Sequence, residues 1–187
     1  GTAGELAQLA PTMTAGPCQV PRLLHADPEA GLVVLSFAPG RPFGAVLAEA
    51  DAEKRRALMD HAGRWLARYC ADRRRDGGFG PAFWTDQARD LVARLPKGAD
   101  RTLAEAALAR MRDHARAARG LALVKAATHG DFVSFNMLHD GTVLTGVDIQ
   151  GESWFPVALE VARFLAWEAI HTAPDARARH LGVDAEA

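Results

Sequence analysis

The sequence predicts an α+β chain: a strand-rich opening, then a mostly helical body interrupted by one β-hairpin. Three observations carry this. "LLHADPEAGLVVL" (residues 23–35) has two apolar runs around a turn-forming Asp-Pro and Gly31. From Asp51 onward the apolar residues recur at helical spacing. "NMLHDGTVLTGVDIQ" (136–150) has two short apolar runs around Asp140-Gly141, the signature of a tight hairpin.

In chain order, "GELAQLA" (4–10) reads as the last turns of a helix with Leu6 and Leu9 on one face, and "PTMTAGPCQVP" (11–21) as a loop. The two strands follow, with "LVVL" (32–35) expected to be buried, and "APGRP" (38–42) ends them. Leu58, Ala62, Trp65, Leu66 and Tyr69 mark one face of a helix running to about residue 73. "RDGGFGP" (75–81) is expected to be a loop between helices. Helices are predicted over 83–95, stopped by Pro96 and Gly98, and over 103–119, ended by Gly120. "LALVKAATHG" is weakly strand-like and leads into "HGDFVSFN" (129–136). The hairpin comes next, and a long amphipathic helix starts after Pro156. Trp65, Trp154 and Trp167 are expected in the core, and His139, His171 and His180 at the surface.

Bulk properties narrow the function. The 187 residues hold 22 Lys and Arg against 23 Asp and Glu, so no net charge draws the chain to nucleic acid, and "RRR" (73–75) reads as a solvated helix end. No apolar run approaches the ~20 residues of a membrane helix, and the N-terminus lacks a basic-then-apolar signal pattern. Cys18 and Cys70 form no metal-binding pair, which suits reduced thiols and a cytoplasmic location. Nothing in the sequence specifies an oligomeric state.

A hairpin brings its two ends together, so Asp148 is expected near Asn136 and Asp131. Two carboxylates and an amide supply hard oxygen ligands of the kind Mg²⁺ takes together with substrate phosphates. Phosphoryl transfer needs such a metal site and a carboxylate to orient the attacking hydroxyl.

"HGDFVSFN" resembles the H-x-D-x-x-x-x-N catalytic loop of protein-kinase-like enzymes. Gly130 after the histidine makes it similar to the aminoglycoside phosphotransferase and choline kinase branch, which phosphorylates small molecules. There the loop is followed by a short apolar pair, a hairpin and an Asp, here Met137-Leu138, Asp140-Gly141 and Asp148. "LEVARFL" (159–165) is similar to the family's D-L-A-x-x-L helix, with Glu160 in place of Asp. "VPRLLHADPEAGLVVLSFAPGRPF" resembles the strand, hinge and Pro-Gly segment joining two lobes.

The resemblance implies a protein-kinase-like fold. Residues 1–38 would be a partial N-terminal lobe and hinge, and residues 39–187 a helical C-terminal lobe carrying the catalytic loop. It implies ATP and Mg²⁺ as cofactors and a small-molecule hydroxyl substrate such as an amino sugar, sugar or amino alcohol, with no nucleic acid or membrane partner. Asp131 would orient the hydroxyl, Asn136 and Asp148 would hold Mg²⁺, and His129 would be a structural member of the loop. Backbone groups of Ser36 and Ala38 would meet the adenine edge, with Leu138 packed beneath the base. The family's glycine-rich loop and strand lysine are not visible: the first lysine is Lys54, past the hinge. The chain is therefore expected to lack most of its small lobe and to bind ATP poorly. Ligand or partner binding without catalysis is the alternative. A metal-dependent phosphoesterase using His129, Asp131 and Asp148 lacks the companion His and Asp motifs such sites gather.

Overall fold

The computed structural model describes residues 1–150, 153–171, 179–180 and 183–184. They form two compact units, residues 1–74 with 126–187, and residues 75–125.

The first unit opens with α1 (Thr2–Met13), whose Leu6, Leu9 and Met13 are buried. The helix continues through Pro11, where a loop was expected. Proline here sits in the last turn and removes only one backbone bond, while burial of Met13 holds that turn in place. Strand β1 (Cys18–Gln19) follows, then the ribbon of β2 (Leu23–Asp27) and β3 (Leu32–Leu35), paired antiparallel as the sequence suggests. The burial expected for "LVVL" is not found: all four β3 side chains are exposed. The apolar run forms a strand, but its sheet has only two strands and offers little surface to cover it.

β4 (Arg41–Pro42) leads into α2 (Phe43–Glu49), a helix too short to announce itself by periodicity. Its Phe43 and Leu47 are nevertheless completely buried. α3 (Ala52–Tyr69) is capped by the Asp51 carboxylate, which accepts from the Lys54 amide. Its predicted face of Leu58, Ala62, Trp65, Leu66 and Tyr69 is the centre of the core. It ends at Tyr69, four residues short of the expected limit.

In the second unit, the expected loop at 75–81 contains strand β5 (Arg74–Gly78), neighbour of β6 (Ala122–Thr128). The pairing runs on through Phe79 and Leu121, whose backbone bond is 2.9 Å. A partner strand supplies the ladder that glycine-rich sequence does not advertise. α4 (Ala82–Arg94) and α5 (Ala99–Ala118) pack against each other, α5 starting four residues earlier than expected.

Beyond β6 the chain returns to the first unit. A 3₁₀ turn (Ser134–Asn136) precedes β7 (Met137–His139), and β8 (Leu144–Gly146) returns antiparallel to it. Between them the Asp140 carboxylate accepts from the amides of Thr142 and Val143. β1 joins β8 in parallel and β4 joins β7 antiparallel, giving the order β1-β8-β7-β4. The apolar run continues to Ile149, beyond the end of β8. The ladder stops sooner because Asp148 adopts φ +56°, which no strand residue can hold. β9 (Ser153–Pro156) leads into α6 (Val157–His171). The short strands β10 (Arg179–His180) and β11 (Val183–Asp184) pair antiparallel.

Two glycines are fixed by close approach. A Cβ on Gly146 would lie 2.2 Å from Cζ2 of Trp65, and one on Gly40 would lie 2.6 Å from the carbonyl carbon of His139. The first lets the hairpin lie on Trp65; the second lets the "PG" segment cross β7. Trp65 is fully buried as expected, stacked on Tyr69 and Phe132, whereas Trp154 and Trp167 are half-buried. His171 is exposed, but His139 is half-buried against Phe43 and His61, because it lies on an inner strand of the sheet. The side chain of His180 lies outside the described residues.

Candidate active site

The loop 129–136 enters the hairpin and Asp148 leaves it. The hairpin register, Met137 opposite Gly146, extends by one bond from the Val147 amide to the Asn136 carbonyl at 2.8 Å. The backbone beside Asp148 is thus tied to Asn136, as the sequence requires.

Asn136 is buried, and its Nδ2 donates to Oδ2 of Asp131 at 2.9 Å and to the Asp131 carbonyl at 3.1 Å. Two oxygens on one side fix the amide's orientation and turn its Oδ1 away from Asp131. The carboxylates of Asp131 and Asp148 are both exposed. Among the described residues, Oδ1 of Asp131 is unengaged and the Asp148 side chain accepts no hydrogen bond. Carboxylate and amide oxygens of this kind are the hard ligands that a small divalent cation takes together with waters and phosphate. No group of three or more His, Cys, Asp or Glu suited to a metal occurs among the described residues. The set here has two carboxylates and an amide.

His129 is 1 % exposed. Its Nε2 donates to the Val147 carbonyl at 2.9 Å, and its Nδ1 accepts from the Asp131 amide at 3.3 Å. A carbonyl on one nitrogen and an N–H on the other define the neutral ring protonated at Nε2. Burial holds its pKa below the ordinary histidine value; the Val147 carbonyl and the charges of Asp131 and Asp148 act in the opposite sense. The ring joins the loop to the segment after β8.

Glu160 on α6 is fully buried and accepts from the Gly130 amide at 3.2 Å. Arg163, one turn on, pairs with Glu160 at 3.3 Å and donates to the Gly130 carbonyl. Both backbone polar groups of Gly130 are therefore held by one helix. Burial pushes the Glu160 carboxyl up, against the lowering influence of Arg163 and the amides of Gly130 and Phe132. This clamp escapes a reading of the loop alone; its signal is a Glu–Arg pair at i,i+3 in an otherwise apolar helix.

The adenine-facing candidates lie on separate elements. The Ser36 amide donates to the Arg22 carbonyl at 2.8 Å and its Oγ accepts from the Arg22 amide, and its carbonyl has no partner among the described residues. The Ala38 amide has no partner among the described residues. Leu138, half-buried on β7, pairs with Pro42 on one side and Thr145 on the other. Glu5 is buried and accepts from the Tyr69 hydroxyl at 2.9 Å and from Arg73 at 2.7 Å.

The model of the phosphotransferase enzyme family (APH) matches residues 3–185. The chain belongs to this family. Among solved structures, glucosamine kinase in one crystal form superposes with a TM-score of 0.65 at 21% identity, over 92% of this chain and 51% of that one. Another crystal form gives 0.63 at 21% identity, over 92% and 49%. Glucosamine kinase in complex with glucosamine, ADP and inorganic phosphate gives 0.59 at 20% identity, over 93% and 50%. The fold is therefore the protein-kinase-like one expected, and the chain spans about half the length of these kinases. No curated protein matches the sequence. Among the described residues, no helix is long and apolar enough to cross a membrane.

Proposed function

We propose that this chain carries the catalytic loop of an ATP-dependent small-molecule kinase. The enzyme transfers the γ-phosphate to a hydroxyl of an amino sugar, sugar, amino alcohol or related metabolite. The observation that carries this is the Asp131–Asn136 bond at the entrance of a hairpin whose exit holds Asp148 in a left-handed backbone conformation. Asp131 orients the acceptor hydroxyl with its free Oδ1 and takes up its proton. Asn136 and Asp148 are the residues that hold Mg²⁺, which when bound neutralises phosphate charge. His129 keeps the loop in register. The Ser36 carbonyl and the Ala38 amide meet the adenine edge, and Leu138 packs beneath the base. In this reading residues 1–38 are small-lobe segment and hinge, and the rest is the large lobe. The family membership and the ADP named in the glucosamine kinase complex support nucleotide use.

The test is Asp131→Asn in the full gene product, with Mg-ATP and glucosamine as the first acceptor in a panel of hydroxyl compounds. Phosphorylation is expected to fall by roughly 10²–10⁴-fold with folding intact. Unchanged turnover refutes the role of Asp131. Absence of any thermal shift with millimolar Mg-ATP favours a kinase-like binding module without catalysis.

A further inference from the structure

Residues 75–125 hold ten Lys and Arg against six Asp and Glu, in a chain that as a whole is almost neutral. Part of this excess gathers on one face of α5. Arg112, Arg116 and Arg119 stand at i, i+4 and i+7, and with Pro81, Thr85 and Ala115 they line a cleft of about 340 Å³ between α4 and α5. The size suits a small molecule. Like charges one turn apart destabilise a helix unless something neutralises them. Elsewhere in this unit arginines have neighbours that do so: Arg89 pairs with Asp86 and Asp90, and Arg101 with Glu105. In the cleft Arg116 is paired, to Asp113. Arg112 and Arg119 have no carboxylate partner among the described residues.

The floor of the cleft is buried, formed by Pro81 and Ala115. Thr85, half-buried, is the uncharged polar residue in the lining. Its single hydroxyl proton is directed at the carbonyls of Pro81, at 3.2 Å, and Ala82, at 3.0 Å. Oγ1 can therefore only accept a hydrogen bond from a ligand. Two unneutralised guanidinium forks call for an oxyanion that accepts bidentate bonds, and phosphate geometry fits them. A lone acceptor beside them calls for a ligand that also carries a donor, as a hydroxyl does.

We infer that the α4–α5 cleft binds a phosphate monoester of a polyol, with the phosphate on Arg112 and Arg119 and a ligand hydroxyl donating to Thr85. The inference stands apart from the phosphotransfer reading, because the cleft shares no residue with Asp131, Asn136 and Asp148.

The experiment is calorimetric titration of the full chain with glucose 6-phosphate, inorganic phosphate and glucose at low salt. Glucose 6-phosphate binds, inorganic phosphate binds more weakly, and glucose does not bind. In Arg112→Gln/Arg119→Gln, a change that keeps helix propensity, affinity for glucose 6-phosphate falls at least tenfold. Thr85→Val brings glucose 6-phosphate to the level of inorganic phosphate. Asp131→Asn leaves the titration unchanged. The inference is overturned if the unaltered chain gives no heat at millimolar glucose 6-phosphate, or if the arginine variant binds as tightly as the parent. It is equally overturned if inorganic phosphate and the ester bind alike, which would mean simple charge attraction, or if Asp131→Asn abolishes the signal, which would put the ester in the phosphotransfer site.

Discussion

Replacing Glu160 by alanine is expected to destabilise the protein by about 2.5–4 kcal/mol, from a lost charge-assisted hydrogen bond and the cavity left behind. The carboxylate is fully buried and accepts from the Gly130 amide, a charge-assisted bond of about 1.5–3 kcal/mol. Arg163 loses its partner too, but its side chain is 32% exposed and can be hydrated, so its share is small. The cavity left by the side chain adds about 1 kcal/mol. The assay is urea unfolding followed by circular dichroism, read as a lower midpoint at unchanged slope. A companion variant, Glu160→Gln, keeps an oxygen for Gly130 and has no proton to lose. Burial raises the Glu160 pKa in the folded state, so its contribution to stability is full below the ordinary glutamate value and is lost as pH rises through the raised one. Glu160→Gln should therefore gain on the parent as pH rises across that window. An alanine variant within about 1 kcal/mol of the parent would refute the clamp, since such a loss is typical of surface positions.

Gly146→Ala drives a methyl into Trp65, which is wedged between Tyr69 and Phe132; a loss of about 1–3 kcal/mol or more is expected from thermal melts, and an unchanged melt would contradict the packing. His129 should appear in nitrogen NMR as the neutral ring protonated at Nε2. Because its pKa is lowered, the stability it contributes is present above the ordinary histidine value near pH ~6.5 and lost as pH falls through the lower folded value; a ring already charged at pH 6.5 would contradict this. Asp148→Gly relieves the positive-φ strain and should raise stability by about 1 kcal/mol in urea titrations while removing Mg²⁺-dependent turnover; a fall in stability would argue against strain at this residue.

Much of this was legible in the sequence because it rests on local chemistry. Asp140-Gly141 specifies the hairpin, and the spacing of Leu58 to Tyr69 specifies α3. The Asp131–Asn136 spacing foretold a pair that does form a hydrogen bond. What was not legible depends on partners distant along the chain. "LVVL" has every property of a buried strand, and only the size of its sheet decides its exposure. β5 exists because β6 lies beside it. The bond from Glu160 to Gly130 spans thirty residues, and no spacing rule reaches that far. Asp148 could be placed near the site from the hairpin, but its left-handed backbone could not be inferred from its neighbours.

Glu5 has a mechanical consequence. α1 is short, starts without a side-chain cap and carries a proline near its end, so alone it would fray. The acid that fastens it to Tyr69 and Arg73 makes it one cooperative block with α3. Its inner amides should then exchange with deuterium only when α3 opens, and the first helix cannot swing as a lever without drawing a charged group out of the interior.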